Sequence, residues 1–277
     1  MKKIIKEADK KKGIVQITTI DERWYFQPGK NEGTGLPEYQ FVPSSTWIAG
    51  YYPKGIGFYK WLAQKGWDEA EAIKQAAGDK GSKVHQAIDV LLNGKIVKIT
   101  DKFLNPTTGQ EEELTLEEYE IILSFVEWWE ERKPAIIAKE FVVFNEKEGY
   151  AGTVDCLARI GDKVYLIDYK TSQAIWPEYE LQVSSYKHAL NPQDFVGLGE
   201  TEEINLMILQ LGYKRNKNAW KESEIEDKFE LFLHAKAIWA NENGDEKPKQ
   251  KDYPLEIQLN SDKNQKEKTN KKSKNLE

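Results

Sequence analysis

Residues 139–170 read KEFVVFNEKEGYAGTVDCLARIGDKVYLIDYK, and two turns within this stretch set the register of three strands. Gly161-Asp162 suits a two-residue primed hairpin turn with glycine first. Counting back from it pairs Ile160 with Lys163 and places Asp155 opposite Asp168. A four-residue turn over 146–149 pairs Asn145 with Tyr150 and places Glu140 opposite Asp155. Glu140, Asp155 and Asp168 then form one row across the three strands. Lys170, two residues past Asp168, joins that face because strand side chains alternate.

Such a row is costly on its own. Like charges facing each other across strands destabilise a sheet, and two carboxylates about 5 Å apart repel by about 3 kcal/mol at an effective dielectric near 20. Val164-Tyr165-Leu166-Ile167 is a continuous apolar run, which points to a buried strand, so the acids at its far end are poor surface decoration. A divalent cation held between the carboxylates relieves the repulsion, and carboxylate oxygens are the ligands that Mg²⁺ and Mn²⁺ prefer.

Asp155, twelve intervening residues and then Asp168-Tyr169-Lys170 resemble the signature of the PD-(D/E)XK nuclease superfamily. Gln182-Val-Ser-Ser-Tyr186 resembles the Q-x-x-x-Y motif of the branch containing the RecB nuclease domain, and Gly81-Ser-Lys-Val-His85 resembles that branch's helical histidine motif. The stretch PSSTWIAGYYPKGIGFYKWLAQKGW is similar to the leader that precedes the histidine motif in stand-alone nucleases of this type. The matches occur in the family's order and span residues 82–186.

The resemblance implies a restriction-endonuclease-like α/β fold with an αβββαβ core and a mixed central sheet. It implies metal ligation by Asp155, Asp168, His85 and Glu140, with Lys170 orienting the attacking water or offsetting charge on the phosphate. Gln182 and Tyr186, four residues apart on one helix face, are expected to order Lys170 or meet the DNA backbone. Ser172 and Trp176, in the loop after the catalytic strand, are candidate DNA contacts; an aromatic there suits stacking of an unpaired base. His188 and His234 stand in no motif.

Organisation along the chain fits this reading. Strand-like pieces at 14–20 and 24–27 are separated from the first helices by PGKNEGTGLPE, and helices are expected over 56–65, 68–93 and 116–132. The last has Tyr119, Ile122, Phe125, Val126 and Trp129 on its inner stripe, and Pro134 stops it. After the three strands come a helix over 178–190 stopped by Asn191-Pro192, a strand over 204–213 and a helix over 229–241. We expect one nuclease domain over 1–242, with N-terminal strands and helices carrying the histidine motif over 1–110 and the catalytic core over 111–242. Residues 243–277, rich in Lys, Asn and Glu, are expected to be a disordered tail.

The 277 residues carry a formal charge of −6, which argues against a general DNA-coating protein but not against a nuclease with a local basic path. Cys156 is the single cysteine, which rules out an intrachain disulfide and the cysteine-ligated cluster of CRISPR-associated exonucleases and AddB-type proteins. No apolar run has transmembrane length and no secretory signal is visible, so a cytoplasmic protein is expected. The function expected is a Mg²⁺- or Mn²⁺-dependent DNA exonuclease of recombination, repair or replication. Its partners would be DNA that is single-stranded or has free ends, and a separate recombination or replication protein. The alternatives are a site-specific or structure-specific endonuclease of the same fold, and a DNA-binding subunit that does not cleave.

Overall fold

A computed structural model describes residues 4–9, 12–18, 22–30 and 37–244. The tail expected from residue 243 lies, beyond Gly244, outside the described residues. Strands β1 (Ile4–Asp9), β2 (Ile14–Thr18), β3 (Arg23–Lys30) and β4 (Pro37–Pro43) make an antiparallel sheet in chain order. Helices α1 (Ser45–Ala49), α2 (Ile56–Lys65) and α3 (Trp67–Leu92) come next, then a small hairpin of β5 (Lys102–Leu104) and β6 (Glu111–Glu113) and helix α4 (Leu116–Arg132). Strands β7 (Ala135–Asn145), β8 (Tyr150–Ile160) and β9 (Lys163–Lys170) lead through α5 (Pro177–Ala189) to β10 (Ile204–Leu211), β11 (Trp220–Ile225) and α6 (Phe229–Asn243).

The central sheet runs β11-β10-β9-β8-β7 and is mixed: β9 and β10 are parallel, joined across α5, and the other neighbours are antiparallel. The order α4-β7-β8-β9-α5-β10 is the expected αβββαβ arrangement. One face of the sheet packs on α3 and α4 through Val84, Ile88, Ile121, Phe125 and Trp128 against Cys156, Ile167 and Leu209. The other packs on α5 through Val183 and Tyr186 against Leu157, Leu166 and Ile208. Covered on both sides, Val164, Leu166 and Ile167 are fully buried, which is why that run is continuously apolar.

Both turns behave as expected. Ile160 pairs with Lys163 around Gly161 at φ 61°, and Asn145 pairs with Tyr150 beside Gly149 at φ 63°. The N-terminal sheet corrects the sequence reading. It has four strands, and β3 and β4 extend into the glycine- and proline-rich stretch from both ends. The inner face of α4 is also rotated from the one expected: Glu118, Ile121, Ile122, Phe125 and Trp128 are buried, while Tyr119 and Trp129 are only partly covered. The cause is Glu118, which closes a capping box with Thr115 and pairs with buried Lys83 at 2.9 Å. Its two partners draw an acidic residue inward. Helix α2 has no buried residue, and in α3 only Ala70 is buried before Lys83, two residues before His85.

Candidate active site

The β8–β9 ladder runs in the expected register from Ile160↔Lys163 to Cys156↔Ile167 and stops there. Asp155 lies one step beyond. Its Oδ2 accepts the backbone amide of Tyr169 at 2.7 Å, so a side chain replaces the next backbone bond and the strands splay. The alternation of β8 breaks at the same place. Val154 and Leu157 both join the core under α5, although strict alternation would send them to opposite faces. Asp155 therefore sits at a fork in the sheet, between the α3 side and the α5 side.

On the α3 side is His85. Its Nδ1 lies 3.3 Å from Asp155 Oδ1 and its Nε2 lies 3.1 Å from the Tyr169 carbonyl oxygen. With Nε2–H donating to that carbonyl, the neutral ring turns its Nδ1 lone pair toward Asp155. Glu140 approaches from β7. It falls between the pairs Lys139↔Cys156 and Phe141↔Val154, hence across from Asp155, and its φ of 44° breaks the extended conformation. A left-handed glutamate within a strand is a strained conformation that the surroundings must impose. One ligand atom from each of His85, Glu140 and Asp155 lies within 4.8 Å of the others. Lys139 Nζ meets Asp89 Oδ1 at 2.9 Å, fastening β7 beside Glu140 to α3 one turn beyond His85.

On the α5 side, Asp168 and Lys170 form an ion pair of 2.5 Å between Oδ2 and Nζ. Asp168 is not part of the three-residue group. Its Oδ2 is buried, and no aligned hydrogen bond satisfies it; the contact with Lys170 is close but lacks hydrogen-bond geometry. Lys170 Nζ also donates to Gln182 Oε1 at 3.4 Å and lies 4.8 Å from the Tyr179 ring centre. Gln182 Nε2 in turn donates to Tyr186 Oη at 2.5 Å. Tyr179, Gln182 and Tyr186 sit at i, i+3 and i+7 of α5, so one helix face holds the lysine.

The titration of these groups reflects their surroundings. Burial opposes charge on His85, but the Asp155 carboxylate, hydrogen-bonded to it, and Glu140 outweigh burial and raise its pKa to about 9. Burial pushes Asp155 up, while His85, Lys170 and the Tyr169 amide bring it below its ordinary value. Burial raises Asp168 to about 6 against the pull of Lys170, with Asp155 adding repulsion. Two adjacent carboxyls are thus driven in opposite directions by their different surroundings.

The remaining candidates lie at the rim. Ser172 is half-buried and donates to the Ala174 carbonyl at 2.8 Å, and Trp176 is exposed at the N-cap of α5. His188 meets Asp227 and stacks on Phe229, away from the site. The sequence reading missed Tyr179, the Lys139–Asp89 tie and Gly152. A Cβ on Gly152 would fall 2.2 Å from Tyr186 Cε1, so the tyrosine reaches its place because β8 carries no side chain there. A glycine inside a strand is the signal for such an approach, and the 179-182-186 spacing is the signal for Tyr179. Nothing in the sequence announces Lys139–Asp89.

A nitrogen and two carboxylates close together, beside the buried Asp168 carboxylate, suit a hard divalent cation. The imidazole widens the choice from Mg²⁺ toward Mn²⁺. Among the described residues no helix is long and apolar enough to cross a membrane.

No family model and no curated protein matches the chain. Among solved structures it is similar to that of an alkaline exonuclease, LHK-Exo, from Laribacter hongkongensis, with 11% identity over 85% of this chain and 95% of that one, and a TM-score of 0.34. A superposition that loose leaves the chain's own residues and distances to carry the reading.

Proposed function

We propose that the chain is a divalent-metal-dependent deoxyribonuclease of the PD-(D/E)XK type, from the RecB-like exonuclease branch, acting on DNA ends. The observation that carries this reading is the meeting of His85, Glu140 and Asp155 within 4.8 Å, next to the Asp168–Lys170 pair. His85, Glu140 and Asp155 would hold the cation, with the Asp168 carboxylate beside them as a further ligand. Bound there, Mg²⁺ or Mn²⁺ would polarise the scissile phosphate and lower the pKa of the attacking water.

The chain's own residues do the rest. Lys170 presents a cationic donor beside Asp168, where it can orient water and offset charge growing on the phosphate oxygens. Asp168 and Asp155 keep it protonated despite burial, which otherwise lowers an ammonium pKa. Gln182 and Tyr179 fix its direction, so little reorganisation accompanies reaction. Asp155, with its pKa depressed, stays ionised. Burial raises the pKa of Asp168 in the cation-free protein, and a bound cation would favour its ionised form. Ser172 and Trp176, which follow Lys170 along the chain, would meet the departing or entering strand.

The test is digestion of 5′- and 3′-labelled single- and double-stranded DNA with Mg²⁺, Mn²⁺ or EDTA, alongside a covalently closed circle. Metal-dependent loss of linear DNA with the circle spared is the expected result. No cleavage by metal-replete protein refutes the nuclease reading, and rapid cutting of the circle replaces the exonuclease with an endonuclease.

A further inference from the structure

The loop between β10 and β11 carries Lys214, Arg215 and Lys217, with Lys221 next on β11, and residues 212–221 contain no acid. That is four positive charges in ten residues of a chain whose net charge is −6. Residues 214–218 are all exposed. Among the described residues Arg215 and Lys217 have no ion-pair partner, and Lys214 reaches Glu117 only at 3.8 Å.

The loop is held in shape. Tyr213 N donates to the Ala219 carbonyl at 2.6 Å, Ala219 N to the Asn216 carbonyl at 3.1 Å, and Asn216 Nδ2 to the Trp220 carbonyl at 2.8 Å. Ala219 takes φ 54°, a left-handed conformation that alanine does not choose freely. Main-chain bonds and Asn216 set this form, which leaves the Arg215 and Lys217 side chains spare.

It is also tied to the candidate active site. Gln210 pairs with Lys170 across the parallel β9–β10 ladder, so the loop leaves the sheet at the end where Lys170 sits. Gln173, three residues past Lys170, clamps it from both sides: its Nε2 donates to the Gly212 carbonyl at 2.8 Å and its Oε1 accepts Lys214 N at 2.9 Å. Gln210 Nε2 donates to the Ser172 carbonyl at 2.9 Å, bracing the same loop pair. At about 3.3 Å per extended residue, the basic tip stands roughly 10–20 Å from Lys170, a few nucleotides along a strand.

We infer that Arg215 and Lys217 form a phosphate-binding guide for the nucleic-acid strand lying outside the cleavage position. The inference rests on the nuclease reading for which strand is bound, but the contact itself needs only the loop. A rigid display of cations beside a catalytic cleft raises affinity without reading bases, because the phosphate backbone is the same in every sequence.

The experiment measures binding of the full chain to an oligothymidylate in EDTA by fluorescence anisotropy across a salt series. The wild type is compared with Arg215→Ala/Lys217→Ala and with Arg215→Lys/Lys217→Arg. Losing two single-strand phosphate contacts lowers the slope of log Kd against log salt by about 1.4, and about tenfold weaker binding at low salt is expected. The charge-preserving variant should bind like the wild type, and all three should melt alike. A neutral variant with an unchanged slope overturns the inference, whether or not the wild type cleaves DNA. A reduced slope in a protein that never cleaves keeps the guide and discards the nuclease reading. A wild type that fails to bind the oligonucleotide overturns the guide and leaves the nuclease reading to the cleavage assay.

Discussion

The backbone amide of Tyr169 donates to Asp155 Oδ2 at 2.7 Å, with Asp155 one residue and Tyr169 two residues past the last paired residues of the β8–β9 ladder. Asp155 thus supports the sheet with one oxygen and faces His85 with the other. The two tasks can be separated. Asp155→Asn keeps a carbonyl oxygen for the Tyr169 amide but loses the charge that would hold the proposed cation. It should lose metal-dependent cleavage and the ionic contact with His85, yet remain more stable than the alanine variant. Asp155→Ala also orphans a buried amide, which costs about 1–3 kcal/mol. Urea unfolding of both variants in EDTA checks this: equal stability of the two would mean that the amide finds another partner.

Lys170 is restrained by Tyr179 and Gln182 as well as by Asp168. Lys170→Ala should lower kcat by about a hundredfold or more, the usual cost of removing a charge-stabilising donor. Gln182→Ala and Tyr179→Leu act only through the lysine's orientation, so each should lower kcat by about tenfold with little change in KM. Because both hold one side chain, the double variant should lose less than the product of the single losses. Steady-state kinetics on a labelled oligonucleotide distinguishes this from independent effects.

The centre of the fold was legible because short turns transmit register. Gly161 and Gly149 place Ile160 with Lys163 and Asn145 with Tyr150, and everything between is reached by counting. The splay at Asp155 was not legible, since it arises from a side chain taking over a backbone bond. For the same reason the four-residue acidic and histidine set expected from the resemblance appears as two neighbouring groups: His85, Glu140 and Asp155 on one side, Asp168 with Lys170 on the other. The face of α4 was misjudged because counting apolar residues cannot see the Lys83–Glu118 pair, which brings an acid into the core. Much of the N-terminal sheet was missed because Pro28, Gly29 and Pro37 look like turn residues, whereas they pair along β3 and β4.

Gly152 offers a test of the packing behind the site. The added methyl of Gly152→Ala would lie 2.2 Å from the Tyr186 ring, beside Ser45 Oγ at 3.2 Å. Tyr186 must move, and overpacking of this kind costs about 1–3 kcal/mol. Displacing it also loosens Gln182, and through it Lys170, so activity should fall with stability. Adding Tyr186→Ala to Gly152→Ala removes the clash, so the double variant should be more stable than the sum of the two single losses predicts. Strict additivity in thermal unfolding would place the ring elsewhere.

The last prediction concerns protons. Burial works against a charged His85, yet Asp155 and Glu140 hold its pKa at about 9, above the ordinary value of 6.5. If His85 ligates the proposed cation, that cation and this proton would compete for one imidazole, and each cation bound between pH 6.5 and 9 should release a proton. Apparent metal affinity should rise by up to about tenfold per pH unit across that window and level off above it. The linked effect on folding has the opposite direction. A raised pKa means that the protonated His85–Asp155 contact stabilises the cation-free protein fully below pH 6.5, and this stability is lost as pH rises through about 9. The melting temperature in EDTA should therefore fall between pH 6.5 and 9, and His85→Ala should flatten that fall. Calorimetric titration with Mn²⁺ in buffers of different ionisation enthalpy counts the released proton directly; a count of zero at pH 7.5 would mean that His85 is not a ligand.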